Sequence, residues 1–93
     1  MNINLHIDYF EEDGHIVALC SELQVSSFGD TLKEAERSIR EALELFFEGC
    51  QELGTLEEVL EESGFVKVND QWVHRVPLKS VQTTLQLAGV FHG

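Results

Sequence analysis

Basic residues are scarce in this chain: six Lys and Arg stand against 17 Asp and Glu, giving a formal net charge of -11 at pH 7. Binding to a phosphate backbone draws on a basic footprint that releases counterions, so this composition argues against direct DNA or RNA binding by the domain. A basic protein partner would be attracted, while the same acidity also serves solubility. Long apolar runs are missing as well. No stretch approaches the roughly 18 residues of a membrane span, and none has the basic-then-apolar order of an export signal, so a cytoplasmic protein with no membrane partner is expected. Cysteine is limited to Cys20 and Cys50; without an export signal, both are expected to be reduced and buried as small apolar groups. His6, His15, His74 and His92 lack the close spacing of a zinc motif, and there is no phosphate-cradling glycine loop or nucleophile elbow. No metal, cofactor or catalytic residue is expected.

What is present suits a single domain over residues 1–93, because one apolar core can be assembled from a chain of this size. Ile3, Leu5, Ile7 and Tyr9 alternate with Asn2, Asn4, His6 and Asp8, the period of a half-buried strand. His6 and Asp8 share its wet face. After the turn-forming Glu11-Glu12-Asp13-Gly14, His15–Cys20 reads as the hairpin partner, and a short third strand follows around Val25 to Phe28.

Gly29, Asp30 and Thr31 then punctuate the chain, and Thr31 with Glu34 makes a Ser/Thr-x-x-Glu capping pattern. The helix that follows carries Leu32, Ala35, Ile39, Ala42, Leu43, Phe46, Cys50 and Leu53 on one stripe, with Glu36, Arg40 and Glu44 spaced to pair on its outer face. Gly54 stops it. Thr55 and Glu58 repeat the capping pattern for a shorter helix ending near Gly64. Phe65–Val68 and Trp72–Val76 flank the turn formers Asn69 and Asp70, Pro77 ends that pairing, and the alternation from Val81 to Leu87 reads as a last strand. Residues 89–93 are expected to be loose. The predicted architecture is α+β, ordered β-β-β-α-α-β-β-β, a mainly antiparallel sheet with a long and a short helix on one face.

Three side chains are candidates for partner binding or self-association. Leu45 and Phe47 sit off the main apolar stripe, where large apolar groups either anchor an interface or widen the core. Trp72, beside the second turn, is either a rim of the core or an anchor. Unpaired strand edges make a homo-oligomer plausible, and Val81–Leu87 is the segment suited to pair across a two-fold.

The ordered series of a hairpin over residues 13–20, Glu22-Leu23, Gly29-Asp30-Thr31-Leu32-Lys33-Glu34-Ala35, and a long helix with Glu41-Ala42-Leu43-Glu44-Leu45-Phe46 resembles the HicB-like antitoxin family. The likeness is strongest over residues 1–65. Where the family commonly has Pro-Glu-Leu-Pro-Gly-Cys, this chain has Ser21-Glu22-Leu23-Gln24-Val25-Ser26. Residues 65–93 are too few and too strand-like for the C-terminal DNA-binding module of many such antitoxins. The resemblance implies a non-enzymatic module of a toxin–antitoxin system that covers the active site of a small basic RNA-cleaving toxin similar to HicA. A stand-alone homo-oligomer, dimer or tetramer, without a toxin is the alternative. A lesser one is a degenerate RNase H-like nuclease, for which Asp8, Glu22, Asp30 and Glu34 would have to converge on metal ions.

Overall fold

A computed structural model describes residues 2–89. In chain order these form β1 (Asn2–Ile3), β2 (Asp8–Glu12), β3 (His15–Cys20), β4 (Val25–Gly29), α1 (Leu32–Leu53), α2 (Leu56–Glu62), β5 (Phe65–Val68) and β6 (Gln71–His74). The class is α+β, with a long and a short helix and sheets dominated by antiparallel pairing. No helix among the described residues is long and apolar enough to cross a membrane.

The strands divide into two three-stranded sheets, β2-β3-β4 and β1-β6-β5, where the sequence suggested one. The single strand read over residues 2–9 is split: β1 lies parallel to β6, with Asn2 opposite Gln71 and Ile3 opposite Trp72, residues 4–7 belong to no strand, and β2 lies antiparallel to β3, with Asp8 opposite Leu19, because alternation alone does not fix which neighbour pairs where. The β2–β3 turn is Asp13-Gly14, with both residues at positive φ (48° and 81°), the two-residue geometry that follows the twist of the flanking strands. Asn69 takes φ 57° in the β5–β6 turn, a conformation asparagine tolerates.

The strand read from Val81 to Leu87 is not formed: residues 76–89 carry no regular secondary structure, and all are exposed. Alternation and β-branching describe a chain fit for a sheet, but strand formation needs a neighbouring edge and a covered face. The expectation for residues 90–93, His92 included, lies outside the described residues.

Helix α1 begins as the sequence indicates. The Glu34 amide donates to Thr31 Oγ1 at 3.1 Å, and Glu34 Oε2 accepts from the Asp30 amide at 2.9 Å. Gly54 ends it in the left-handed conformation, φ 71°, with its amide directed to the carbonyls of Cys50 and Gln51. The second capping pattern is not realised. Thr55 Oγ1 donates backwards to the Cys50 carbonyl at 3.5 Å, and no side chain caps α2. Accordingly Thr31→Ala should lower the unfolding free energy by about 1 kcal/mol, whereas Thr55→Ala should change it by less than about 0.5 kcal/mol. Urea denaturation of the two variants checks this; equal losses would contradict the caps described.

The core joins both sheets to both helices: Ala18 and Cys20 from β3, Leu23, then Ala35, Ile39 and Leu43 from α1, Leu60, Phe65 and Trp72. Ala18 and Ala35 are completely buried, and their small side chains let α1 lie close to the hairpin sheet. A hydrogen bond between the Ser27 and Ser38 hydroxyls ties β4 to α1. The predicted stripe is buried in its middle and open at its ends, with Leu32 51% and Leu53 78% exposed.

Candidate protein-binding surface

Leu45 is exposed at 68% on the outer side of α1. Residues three, four and seven apart share a helix face, which places the exposed Glu41, Glu48 and Glu52 along one side of Leu45 and Ser38, Ala42 and Gly49 along the other. The result is an exposed apolar side chain flanked on one side by carboxylates. Helix α2 extends the acidic character with exposed Glu57, Glu58, Glu61 and Glu62.

Phe47 is half-buried and touches its neighbour Phe46 edge-on, with ring centroids 5.5 Å apart. It stands between two depressions. One, of about 460 Å³, runs between the N-terminal segment and α1 and is lined by Ile3, Leu5, Ile7, Tyr9, Leu43 and Phe47, with Glu36, Arg40 and Glu44 also on its wall. The other, about 190 Å³, lies between Phe47, Ile3, Leu56, Leu60 and Trp72. Trp72 is corrected as an anchor. At 3% exposure it belongs to the core, because its parallel pairing opposite Ile3 turns the indole inward beneath α2, a placement that proximity to a turn does not reveal. Lys67 Nζ sits 6.0 Å from its ring centre.

The ion pairs expected within Glu36, Arg40 and Glu44 are not formed among the described residues; all three line the larger groove instead. Burial, and the Glu36 carboxylate, push the Tyr9 hydroxyl above its ordinary pKa, with Arg40 acting in the opposite sense. Burial likewise raises the Cys20 thiol, which therefore stays protonated and unreactive at neutral pH. Both cysteines are buried and free, as composition indicated.

Gly29, Asp30, Thr31 and Glu34 have structural work. A Cβ at Gly29 would lie 2.6 Å from the Ala35 amide nitrogen, so only glycine lets β4 run directly under the start of α1. Asp30 also pairs with His15 Nδ1 at 2.9 Å. Glu22 was not legible as a contact residue. Its largely buried carboxylate accepts from the His6 amide at 2.8 Å and lies 3.7 Å from His6 Nδ1 and 4.0 Å from His74 Nδ1. It fills the gap where β3 and β6 meet the N-terminal segment, and these residues are too far apart in sequence for any spacing rule to join them. His6 thus turns to Glu22 and not to Asp8. Asp8 stands exposed on β2 while Asp30 and Glu34 are held in the cap, and among the described residues no group of three or more His, Cys, Asp or Glu is placed to hold a metal ion. The chain matches no protein-family model, no curated protein and no solved structure.

Proposed function

We propose that this chain is a non-enzymatic protein-binding module resembling the HicB antitoxins, which neutralises a small basic RNA-cleaving toxin similar to HicA by covering its active site. The observation that carries this reading is the surface around Leu45. A large apolar side chain exposed on a rigid helix, flanked along one side by Glu41, Glu48 and Glu52, offers a desolvating anchor with an acidic border complementary to cationic protein. Electrostatic attraction of a body this acidic would speed encounter, and the anchor would supply residence. The hairpin, glycine-dependent cap and long helix supply the rigid platform.

The test is toxin neutralisation. A HicA-like toxin should lose RNA cleavage when mixed with one equivalent of the chain, and Leu45→Asp or Glu48→Lys should restore cleavage without altering the circular dichroism of the module, since both positions are exposed. Full cleavage in the presence of the unmodified chain would overturn the toxin reading. A stand-alone homo-oligomer is the second reading, favoured by the exposed C-terminal arm.

A further inference from the structure

The N-terminal segment has one side paired and one side open. The amides of Asn2 and Asn4 donate to the carbonyls of Asp70 (3.2 Å) and Trp72 (3.0 Å), and that of His6 donates to Glu22. Glu12 and His15 flank the two-residue turn, so the even-numbered residues of β2 also bond inward, to β3. Backbone groups alternate along an extended chain, which directs the amides of Ile3, Leu5, Ile7, Tyr9 and Glu11 to the opposite side. Both β1 and β2 are edge strands of their sheets. Among the described residues the outer sides of β1 and β2 are therefore unpaired, with residues 4–7 joining them outside any strand, and beside them lies the open groove lined by Leu43 and Phe47 of α1 together with Glu36, Arg40 and Glu44. Proteins either protect such an edge or use it.

The chain also carries a segment shaped for that place. Val81, Thr83, Leu85 and Leu87 alternate with Gln82, Thr84 and Gln86, repeating the pattern by which Ile3, Leu5, Ile7 and Tyr9 alternate with Asn4, His6 and Asp8. In the structure this segment covers nothing: Val81, Leu85 and Leu87 are 70%, 75% and 67% exposed. It gives the chain a radius of gyration of 17.0 Å, against about 12 Å for a compact chain of this length. Charge agrees. All 17 acidic residues lie at or before Asp70, so residues 1–70 carry a formal charge of -13, while the remainder holds Arg75 and Lys79 and no acid, +2. Arg75 and Lys79, just before the alternating segment, would be attracted to the acidic body of another copy, while the segment itself is uncharged and adds no repulsion.

We propose that residues 81–87 of one copy add as a strand to the outer edge of residues 3–11 of a second copy, reciprocally, with the apolar side of the arm closing the groove over α1. The occupant is a second copy: in the single chain residues 76–89 are exposed and form no strand, and among the described residues none of the arm lines the groove, while reciprocal exchange between two copies closes with two-fold symmetry. This inference does not rest on toxin binding.

The experiment is light scattering of the full chain at micromolar concentration, with filtered nuclear Overhauser spectra of a sample mixed from labelled and unlabelled protein. The expected mass is twice the 10.5 kDa of one chain, with contacts between the methyl groups of Leu85 or Leu87 in one copy and those of Ile3, Leu5 or Ile7 in the other. Replacing Leu85 and Leu87 together by Asp should weaken the dimer by about a hundredfold or more, leaving a folded monomer because both side chains are mostly exposed and outside the core. A monomeric full chain, arm contacts confined to one copy, or a dimer unaffected by the double substitution would each overturn the proposal.

Discussion

Phe65→Ala should remove about 3–5 kcal/mol of stability, enough to unfold a large part of the population of a small domain whose whole margin is of order 5–15 kcal/mol. Phe65 is 2% exposed and is among the largest fully buried side chains. It opens β5 immediately after the αL residue Gly64, pairs opposite His74, and meets the His74 ring edge-on at a centroid distance of 5.1 Å. His74 in turn bonds the Ser63 carbonyl through Nε2 at 3.0 Å. Truncation would leave a cavity between α2 and the β5–β6 hairpin and free the histidine that closes the α2–β5 connection. Phe28→Ala is the contrasting case: this ring is 65% exposed and touches the His15 ring at a centroid distance of 6.2 Å, so its loss should cost less than about 1 kcal/mol. Urea denaturation followed by far-ultraviolet circular dichroism separates the two. A Phe65→Ala loss no larger than that of Phe28→Ala would contradict the core described.

The second large effect is expected at Gly29. Alanine there would place its Cβ 2.6 Å from the Ala35 nitrogen and 2.7 Å from Glu34 Cβ, neither of which is the movable end of a long side chain. Either β4 or the first turn of α1 must shift, and the shift disturbs the cap formed by Thr31 and Glu34. The cost expected is about 3 kcal/mol, combining overpacking with partial loss of the cap. Gly49→Ala is the control. A Cβ at Gly49 meets nothing within 4 Å, and it sits inside α1, so this change should stabilise by roughly 0.5–1 kcal/mol through helix propensity. Opposite signs for two Gly→Ala changes, read from urea midpoints, are the expected result; a neutral Gly29→Ala would show that the strand-to-helix junction is not held as described.

Many local signals were legible, though the equally local capping by Thr55 and Glu58 and the pairing of Arg40 with Glu36 or Glu44 were not realised among the described residues. Glu11-Glu12-Asp13-Gly14 located the first hairpin, although Glu11 and Glu12 lie in β2 and the turn itself is Asp13-Gly14; Thr31 and Glu34 marked the start of α1, Gly54 its end, and Asn69-Asp70 the second hairpin, because each rests on backbone geometry or a hydrogen bond spanning a few residues. Long-range placement was less legible. A period of two says that one face is buried but not which strand lies alongside, so the parallel pairing of Asn2 with Gln71 and the splitting into two sheets had no local signature. The same limit explains Trp72, whose inward orientation is fixed by β1 and α2, and Glu22, whose contacts with His6 and His74 exist only once three separate elements meet. The exposure of Leu45 was legible because a helix sets its angle from the buried stripe directly. Val81–Leu87 shows a strand pattern without a strand: alternation alone does not form a strand where, among the described residues, no neighbouring strand pairs with it.

The proposed binding surface and the proposed exchanging arm occupy different parts of the molecule, the outer side of α1 for Leu45 and the outer edge of β1 and β2 for residues 81–87. If both proposals hold, arm substitutions leave partner binding intact and Leu45 substitutions leave self-association intact. The most direct test of the functional reading is calorimetric titration of the chain with a small basic HicA-like toxin at low and at high salt. The expected result is stoichiometric binding that weakens about tenfold or more as salt screens the acidic rim, and weakens further with Glu48→Lys. An absence of binding at low salt, or binding indifferent to both salt and Glu48→Lys, would contradict it.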